Sequence, residues 1–444
     1  MPKKLLLMIF IIAGLRVSAG AETVLTVDRV RQLALEYNRQ LQSAKRELDR
    51  SSGEIISARA GALPQISING TYTRNMVKRE MFLPGAFFDT TGFVKIPAAQ
   101  NNDFGLALSL TQPIYNGGKV GAALSIAKIY SKYSREKVAQ VESEIVYGAE
   151  SMFYRAVLAE SGLEVLKSAH DQLAYNYEVV EKYYNQGMVS EFELLRARVE
   201  KLNLEPQIVA AESQVNLSRK QLKSFLGLAL DEEVRLVVDY SDTTTTNLPE
   251  LDTLINLALQ NRPEIKQAAL QKRGYDKAVR IAQGDWLYPS LNLNTTYDLS
   301  ASSDDFRITE NNLSKSWTAS VLLTIPIFDG GRTIGEVRKA KTDYYQAVLS
   351  EQQARDDIRL EVEGAYDTLI QAKKALELQK ETIQQAEEGM RIANLRYQTG
   401  IGTQLEILSA QTALTDARTN LAGAIYQTRL AKSALKKATS FEVK

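Results

Sequence analysis

The sequence predicts a mixed α and β fold, mostly helical: long α-helical coiled-coil hairpins joined to four antiparallel transmembrane strands, with an internal two-fold repeat. Three observations carry this expectation. Two proline-free stretches, 119–186 and 332–399, would each make a helix of roughly 100 Å at ~1.5 Å rise per residue. Four runs of about ten residues alternate apolar and polar side chains, the length a tilted strand needs to cross a bilayer. Distinctive short motifs return in the second half of the chain, three of them at one offset of 213 residues and an upstream one at 224.

The N-terminus reads as a targeting segment. Lys3 and Lys4 precede an apolar stretch from Leu5 to Leu15, and Ala19-Gly20-Ala21 has the small-x-small form of a cleavage site. Residues 1–21 are therefore expected to be a signal peptide, although Arg16 lies unusually close to the apolar run. After it, no run reaches the ~18 apolar residues of a membrane helix, so a membrane-embedded form must use strands. With 54 basic and 53 acidic residues the chain has no basic footprint for nucleic acid. With no cysteine and a single histidine, His170, it is expected to hold no disulfide, Cys-linked lipid anchor, metal centre or catalytic triad. No constellation for catalysis or for a cofactor is found.

The repeat is read from four motif pairs. Leu33-Ala34-Leu35 returns as Leu257-Ala258-Leu259, and Gln112-Pro113-Ile114-Tyr115 as Ile325-Pro326-Ile327-Phe328. Asn116-Gly117-Gly118-Lys119 returns as Asp329-Gly330-Gly331-Arg332, and Tyr184-Asn185-Gln186-Gly187 as Tyr397-Gln398-Thr399-Gly400. The expected organisation is a first repeat over 22–226, a linker over 227–250 and a second repeat over 251–444.

Each repeat begins with a helix, expected over Val27–Ala60 and Leu251–Gly284, where Val30, Leu33, Ala34, Tyr37 and Leu41 show helical spacing. Pro64 and Pro289 then mark a switch to strands, expected at 64–74, 103–114, 289–299 and 316–328. Ile66, Ile68, Gly70 and Tyr72 fall on one face, with Ser67, Asn69 and Thr71 on the other. Phe104, Leu106 and Leu108 similarly oppose Gly105, Ala107 and Ser109. The same alternation suits a soluble antiparallel sheet with one wet face; the export signal favours the membrane. In the long helix, small and apolar residues recur at three- and four-residue steps, at Ala127, Tyr130, Ser134, Val138, Val141, Ile145 and Ala149. That spacing suits lateral coiled-coil packing. Return helices follow at 190–225 and 403–438. The linker interrupts the helical pattern, and Val234, Leu236, Val237 and Val238 suggest a short strand there.

The ordered, duplicated motifs together resemble the TolC-type outer-membrane efflux proteins over roughly residues 24–435. The pieces that carry the likeness are Leu-Ala-Leu with Asn38, the strands after Pro64 and Pro289, the Pro-Ile-Tyr/Phe-Asn/Asp-Gly-Gly junctions and the Tyr-x-x-Gly turns. The resemblance implies a homotrimer whose twelve strands close a barrel in outer-membrane lipid and whose helices form a periplasmic tunnel. It implies a passive conduit of a tripartite efflux or type I secretion system, served by a periplasmic adaptor and an inner-membrane transporter. Drugs, metal ions and polypeptides all remain open as substrates.

The turns after the long helices are the sites of interest. Gly187 and Gly400 stand where a helix ends, and Ser190-x-x-Glu193 and Thr403-x-x-Glu406 have the form of capping boxes. The resemblance implies adaptor docking at Gly187, Met188, Val189, Gly400, Ile401 and Gly402. It also implies a lumen or gate role for Glu193 and Glu406, whose alternative is helix capping alone. The apolar tips could instead pack under a neighbouring hairpin, and Tyr184 and Tyr397 suit packing as well as gating. Relatives often carry an arginine two residues after the second glycine; here that position is Gly402. A second acidic position is Ser409, so an arginine-locked gate and a double acidic ring are not expected. His170 is expected to be solvated. The loops 75–102 and 300–315 are expected to face the exterior, the first unusually apolar with Met81, Phe82, Leu83, Phe87, Phe88 and Phe93.

Overall fold

The computed structural model describes residues 23–238 and 248–440. The expected signal segment 1–21 and the centre of the linker lie outside the described residues. From the N-terminus the elements are β1 (Thr23–Leu25), α1 (Val27–Tyr37), α2 (Arg39–Ala60), β2 (Gln65–Arg74), β3 (Glu80–Pro84), β4 (Phe93–Pro97), β5 (Asn102–Asn116) and α3 (Lys119–Asn185). After α3 come α4 (Glu191–Leu226), β6 (Val234–Leu236), α5 (Leu251–Asn261), α6 (Pro263–Leu287), β7 (Ser290–Ser303), β8 (Leu313–Thr324), α7 (Arg332–Gln398) and α8 (Gln404–Thr439). The long helices α3 and α7 have 67 residues each, and α4 and α8 have 36 each. These elements form two compact units, one of residues 23–43, Gln140–Arg262 and 357–440, the other of Ala44–Ala139 and Pro263–Asp356.

The second unit holds a four-stranded antiparallel sheet in the order β2-β5-β7-β8. Side chains alternate across a strand, so the register sorts them into two faces. One face stacks Ile68, Leu108, Tyr297 and Trp317 in one row. The next row holds Gly70, Leu106, Leu299 and Lys315, and the next Tyr72, Phe104, Ala301 and Leu313. The opposite face stacks Ser67, Ser109, Thr296 and Thr318, then Asn69, Ala107, Asp298 and Ser316. The strand expected over 289–299 continues to Ser303, because Ser300 and Ala301 still find partners in Ser314 and Leu313. The expected loop 300–315 shrinks accordingly. The strand expected over 316–328 stops at Thr324, ahead of Pro326, which has no amide hydrogen to give a ladder. The expected loop 75–102 contains the hairpin β3–β4, and its Phe82, Phe87 and Phe93 are exposed. At the strand-to-helix junction Gly117 (φ 67°) passes so close to α6 that a Cβ would meet the Gly284 carbonyl oxygen at 3.0 Å.

The leading helices are each broken, where one continuous helix was expected. Asn38 ends α1 in extended geometry, and its side-chain oxygen accepts from Gln40 and Leu41 N–H to start α2. Its Nδ2 donates to Phe225 O at 2.9 Å, tying the break to the end of α4. Arg262 breaks the second copy because the following Pro263 disfavours helical geometry before it. The buried Arg262 guanidinium then caps α8, donating to Lys437 O at 2.9 Å, and pairs with Glu361 at 2.8 Å.

The core of the first unit centres on Leu25, Val30, Phe153, Leu222, Leu254 and Leu435, all fully buried. Tyr37, expected on the apolar stripe of its helix, is instead exposed. The short strand expected in the linker is β6, and it pairs in parallel with β1. Glu150 is buried with two donors, Arg31 Nε and Ser433 Oγ, which supply the partners that a buried carboxylate needs. Of the expected small-and-apolar stripe of α3, Ala127, Ser134, Val138, Val141, Ile145 and Ala149 are buried, while Tyr130 is half-buried.

Candidate functional site

Both hairpin turns belong to the first unit and are built alike. Gly187 has φ 72° and Gly400 has φ 77°. At the first, Met188 N–H donates to Tyr183 O and Gly187 N–H to Tyr184 O, each at 2.9 Å. At the second, Ile401 N–H donates to Arg396 O at 3.0 Å and Gly400 N–H to Tyr397 O at 3.1 Å. These are Schellman closures, which satisfy the last carbonyls of a helix and require a left-handed residue. The next helix starts on a side-chain cap: Ser190 Oγ accepts from Glu193 N–H and Thr403 Oγ1 from Glu406 N–H, each at 3.3 Å.

The capping box at the second turn is only half formed. The Glu406 carboxylate does not turn back to the N-cap amide, because it accepts from Arg396 Nε at 3.0 Å. Arg396 also donates to Ile401 O at 3.4 Å, so one guanidinium holds both sides of the turn. Sequence reasoning looked for an arginine at Gly402 and missed this one, whose signal was its place beside Tyr397 at the end of the helix. Gly402 itself is required by proximity: a Cβ there would meet Arg396 and Tyr397 backbone atoms at 2.9 Å.

At the first turn Glu193 forms no ion pair among the described residues, so its charge is left free to act. It bears on Tyr397, whose hydroxyl is buried with no hydrogen-bond partner among the described residues. Burial, then the nearby Glu193 and Tyr183, push the Tyr397 phenol above its ordinary pKa. Tyr183 and Tyr397 bring their rings to 6.1 Å, linking the ends of α3 and α7. Tyr184, singled out from sequence, is the more exposed of the tyrosine pair. Gln404 is buried beside the second turn with both amide atoms unpartnered among the described residues. His170 is half-buried beside Asp171 rather than fully solvated.

The outermost turn side chains are apolar and open, with Met188 67% and Ile401 70% exposed; Val189 and Gly402 are half-buried. The arrangement thus offers two apolar tips, one free carboxylate and one arginine-bound carboxylate. Among the described residues no group of His, Cys, Asp or Glu is placed to hold a metal ion. No described helix is long and apolar enough to cross a membrane.

The model of the outer membrane efflux protein family matches residues 30–228 and again 254–440. The chain is 23% identical over 414 residues to the cobalt-zinc-cadmium resistance protein CzcC of Cupriavidus metallidurans, covering 91% of this chain and 87% of that one. It is 20% identical over 430 residues to the outer membrane protein TolC of Escherichia coli, covering 94% and 81%. The solved Campylobacter jejuni CmeC outer membrane channel has the same fold, with a TM-score of 0.75 at 21% identity over 94% of this chain and 86% of that one. With nearly the whole described chain matched, the protein belongs to the outer membrane efflux protein family and is an outer-membrane channel of an efflux system.

Proposed function

We propose that this chain works as a homotrimer in which three four-stranded sheets close a twelve-stranded barrel. In this reading the helices continue the barrel as a periplasmic tunnel. A periplasmic adaptor and an inner-membrane transporter deliver substrate to it, and the protein supplies a passive path. The observation that carries the reading is the sheet itself. It has one apolar and one polar face, and β2 and β8 are edges with no neighbouring strand among the described residues. An open edge in lipid leaves backbone groups unsatisfied, so the sheet needs other copies to close.

The matched lengths of α3 with α7 and of α4 with α8 support one unit used twice, over 22–226 and 251–444 with 227–250 between them. We place adaptor docking at Gly187, Met188, Val189, Gly400, Ile401 and Gly402. Glu193, Glu406 and Tyr397 are placed at the lumen or gate. Light scattering of detergent-extracted protein tests the assembly: a trimer from the outer-membrane fraction is expected. A stable monomer in the periplasmic fraction, needing no detergent, overturns it.

A further inference from the structure

The apolar face of the sheet is not evenly filled. At Gly70 it has no side chain, and a hollow of about 440 Å³ opens there. Its lining includes Gly70, Leu106, Leu299, Ala301, Ile308 and Leu313. One wall is an aromatic cluster in which Phe306 lies 5.4 Å from Tyr72 and 5.6 Å from Phe104, ring centre to ring centre. Phe306 reaches this position from the β7–β8 loop with φ 65°, a left-handed geometry that an L residue adopts only when its surroundings hold it there.

Two cations stand on the same face. Lys315 shares the row of Gly70, Leu106 and Leu299, and Arg74 lies one row beyond Tyr72. Neither has a carboxylate within ion-pair distance among the described residues; Arg74 donates to Asn102 Oδ1 at 3.0 Å, which leaves its other N–H groups for an anion. Of the acids of the nearby loop, Asp304 is engaged by Lys78 at 2.7 Å and Asp305 by Arg307 at 3.7 Å, while the exposed Glu310 pairs with neither cation. A lysine facing lipid is unfavourable unless it lies at headgroup depth or meets an anion. The rows beside Lys315 carry Trp317 with Tyr297 and Tyr72 with Phe104, an aromatic belt of the kind that sits at headgroup level. Arg74 and Lys315 lie on the two edge strands, about 14 Å apart laterally at ~4.8 Å per strand and about 14 Å apart along them at ~3.4 Å per residue, so they stand at diagonal corners of the hollow.

We propose that this hollow binds a glycolipid bearing two phosphates, with an acyl chain lying over Gly70 and the phosphates held by Arg74 and Lys315. A headgroup with one phosphate reaches only one of the two cations. The proposal rests on the reading that this face meets the bilayer, with the β7–β8 loop on the outer side.

Native mass spectrometry of the detergent-purified trimer tests it. The probes are a bis-phosphorylated hexa-acyl glucosamine disaccharide, its dephosphorylated form and phosphatidylglycerol. Wild-type protein is expected to retain the bis-phosphorylated probe at least tenfold better than the other two. Arg74→Gln with Lys315→Gln should lose that preference. Gly70→Leu should lose the probe, since a Cβ there meets only Leu106 Cδ1, at 3.9 Å, and the longer side chain fills the hollow. Equal retention of all three probes by the wild type overturns the site, and that arm needs no substitution to fold. Full retention by the Gly70→Leu trimer overturns it as well. Quenching of Trp317 by bromine-labelled acyl chains, measured in Trp286→Phe protein, separates the two failures. No quenching sinks the membrane-face reading, whereas quenching without probe preference sinks the glycolipid site alone.

Discussion

Replacing Gly400 with valine isolates what the second hairpin turn contributes. A Cβ at Gly400 has no heavy atom within 4 Å, so the substitution creates no clash and acts through the backbone alone. At φ 77° an L residue costs about 1–2 kcal/mol, with a β-branched residue at the upper end. That lowers the population of the closed Schellman turn by a factor of about 5–30. Asparagine tolerates the left-handed region, so the expected order of function is glycine, then asparagine, alanine and valine. Gly187, at φ 72° and equally open, should follow the same series. Two readouts are needed: substrate export, and crosslinking to the adaptor from a photoreactive residue at Ile401 or Met188. Both should fall together along the series while trimers stay at normal abundance, because the turn lies in a different compact unit from the sheet. Wild-type export and crosslinking in the Gly187→Val, Gly400→Val double variant would refute docking at these turns. Gly402→Ala is the contrasting case. Its Cβ meets backbone atoms at 2.9 Å, so even alanine should open the turn.

The same geometry separates the two acidic positions. Glu406 is bound to Arg396 and Glu193 is free, so Glu193→Gln should shift the reversal potential in planar bilayers more than Glu406→Gln does; equal shifts would contradict this. Arg396→Gln removes an exposed ion pair of about 0.2–1 kcal/mol together with the hold on Ile401 O. Faster hydrogen exchange confined to the amides of the second turn is the expected result, and unchanged protection would show the arginine to be idle. The third concerns acid stability. A hydrogen bond from Lys272, reinforced by Arg355, holds the Glu351 carboxyl below its ordinary pKa despite the opposing effect of burial. A depressed carboxylate stabilises the fold above its unfolded pKa of about 4.3, and that contribution is lost as pH falls through the lower folded value. The melting midpoint of wild-type trimer should therefore drop more steeply below about pH 4 than that of Glu351→Gln, as read by scanning calorimetry.

Much of the fold was legible because its signals are local. Strand alternation, helical spacing along α3 and the glycines at the turns each depend on residues within one or two turns of chain. The misses are long-range. The break at Asn38 is secured by Phe225 O, and Arg262 caps α8 at Lys437 O, partners far off in the sequence. Pro263 did carry a local warning, since the residue before proline avoids helical geometry. The short strand β6 was readable, but its parallel pairing with β1 joins segments about 210 residues apart and leaves no local signal. At the turns the glycines were readable, but the choice of Glu406 between the N-cap amide and Arg396 was not. Capping boxes and ion pairs use the same side chain, and only geometry decides between them.

Strand directions add an argument about closure. The four strands alternate up and down in the order β2, β5, β7, β8, every contact being antiparallel. Because the count is even, β8 of one copy runs opposite to β2 of the next, so a ring of identical copies continues the antiparallel pattern without a mismatched joint. Three strands per chain would force a parallel contact at every subunit boundary, with its different hydrogen-bond spacing. The faces are continuous as well. In the proposed ring the face that carries Ala319, Trp317 and Leu313 on β8 would continue as the face that carries Ile66, Ile68 and Tyr72 on β2 of the next copy. Ring closure therefore keeps one face toward lipid and one toward water around the full circumference, which is what an alternating strand requires of its neighbours. Charge placed on the apolar row of an edge strand should then disrupt assembly where charge on its polar row does not. Ile68→Asp is expected to abolish detergent-stable trimers, and Ser67→Asp on the opposite face of the same strand to leave them intact. Trimers of equal stability in the two variants would mean that the faces are assigned the wrong way round or that the sheet does not close in lipid.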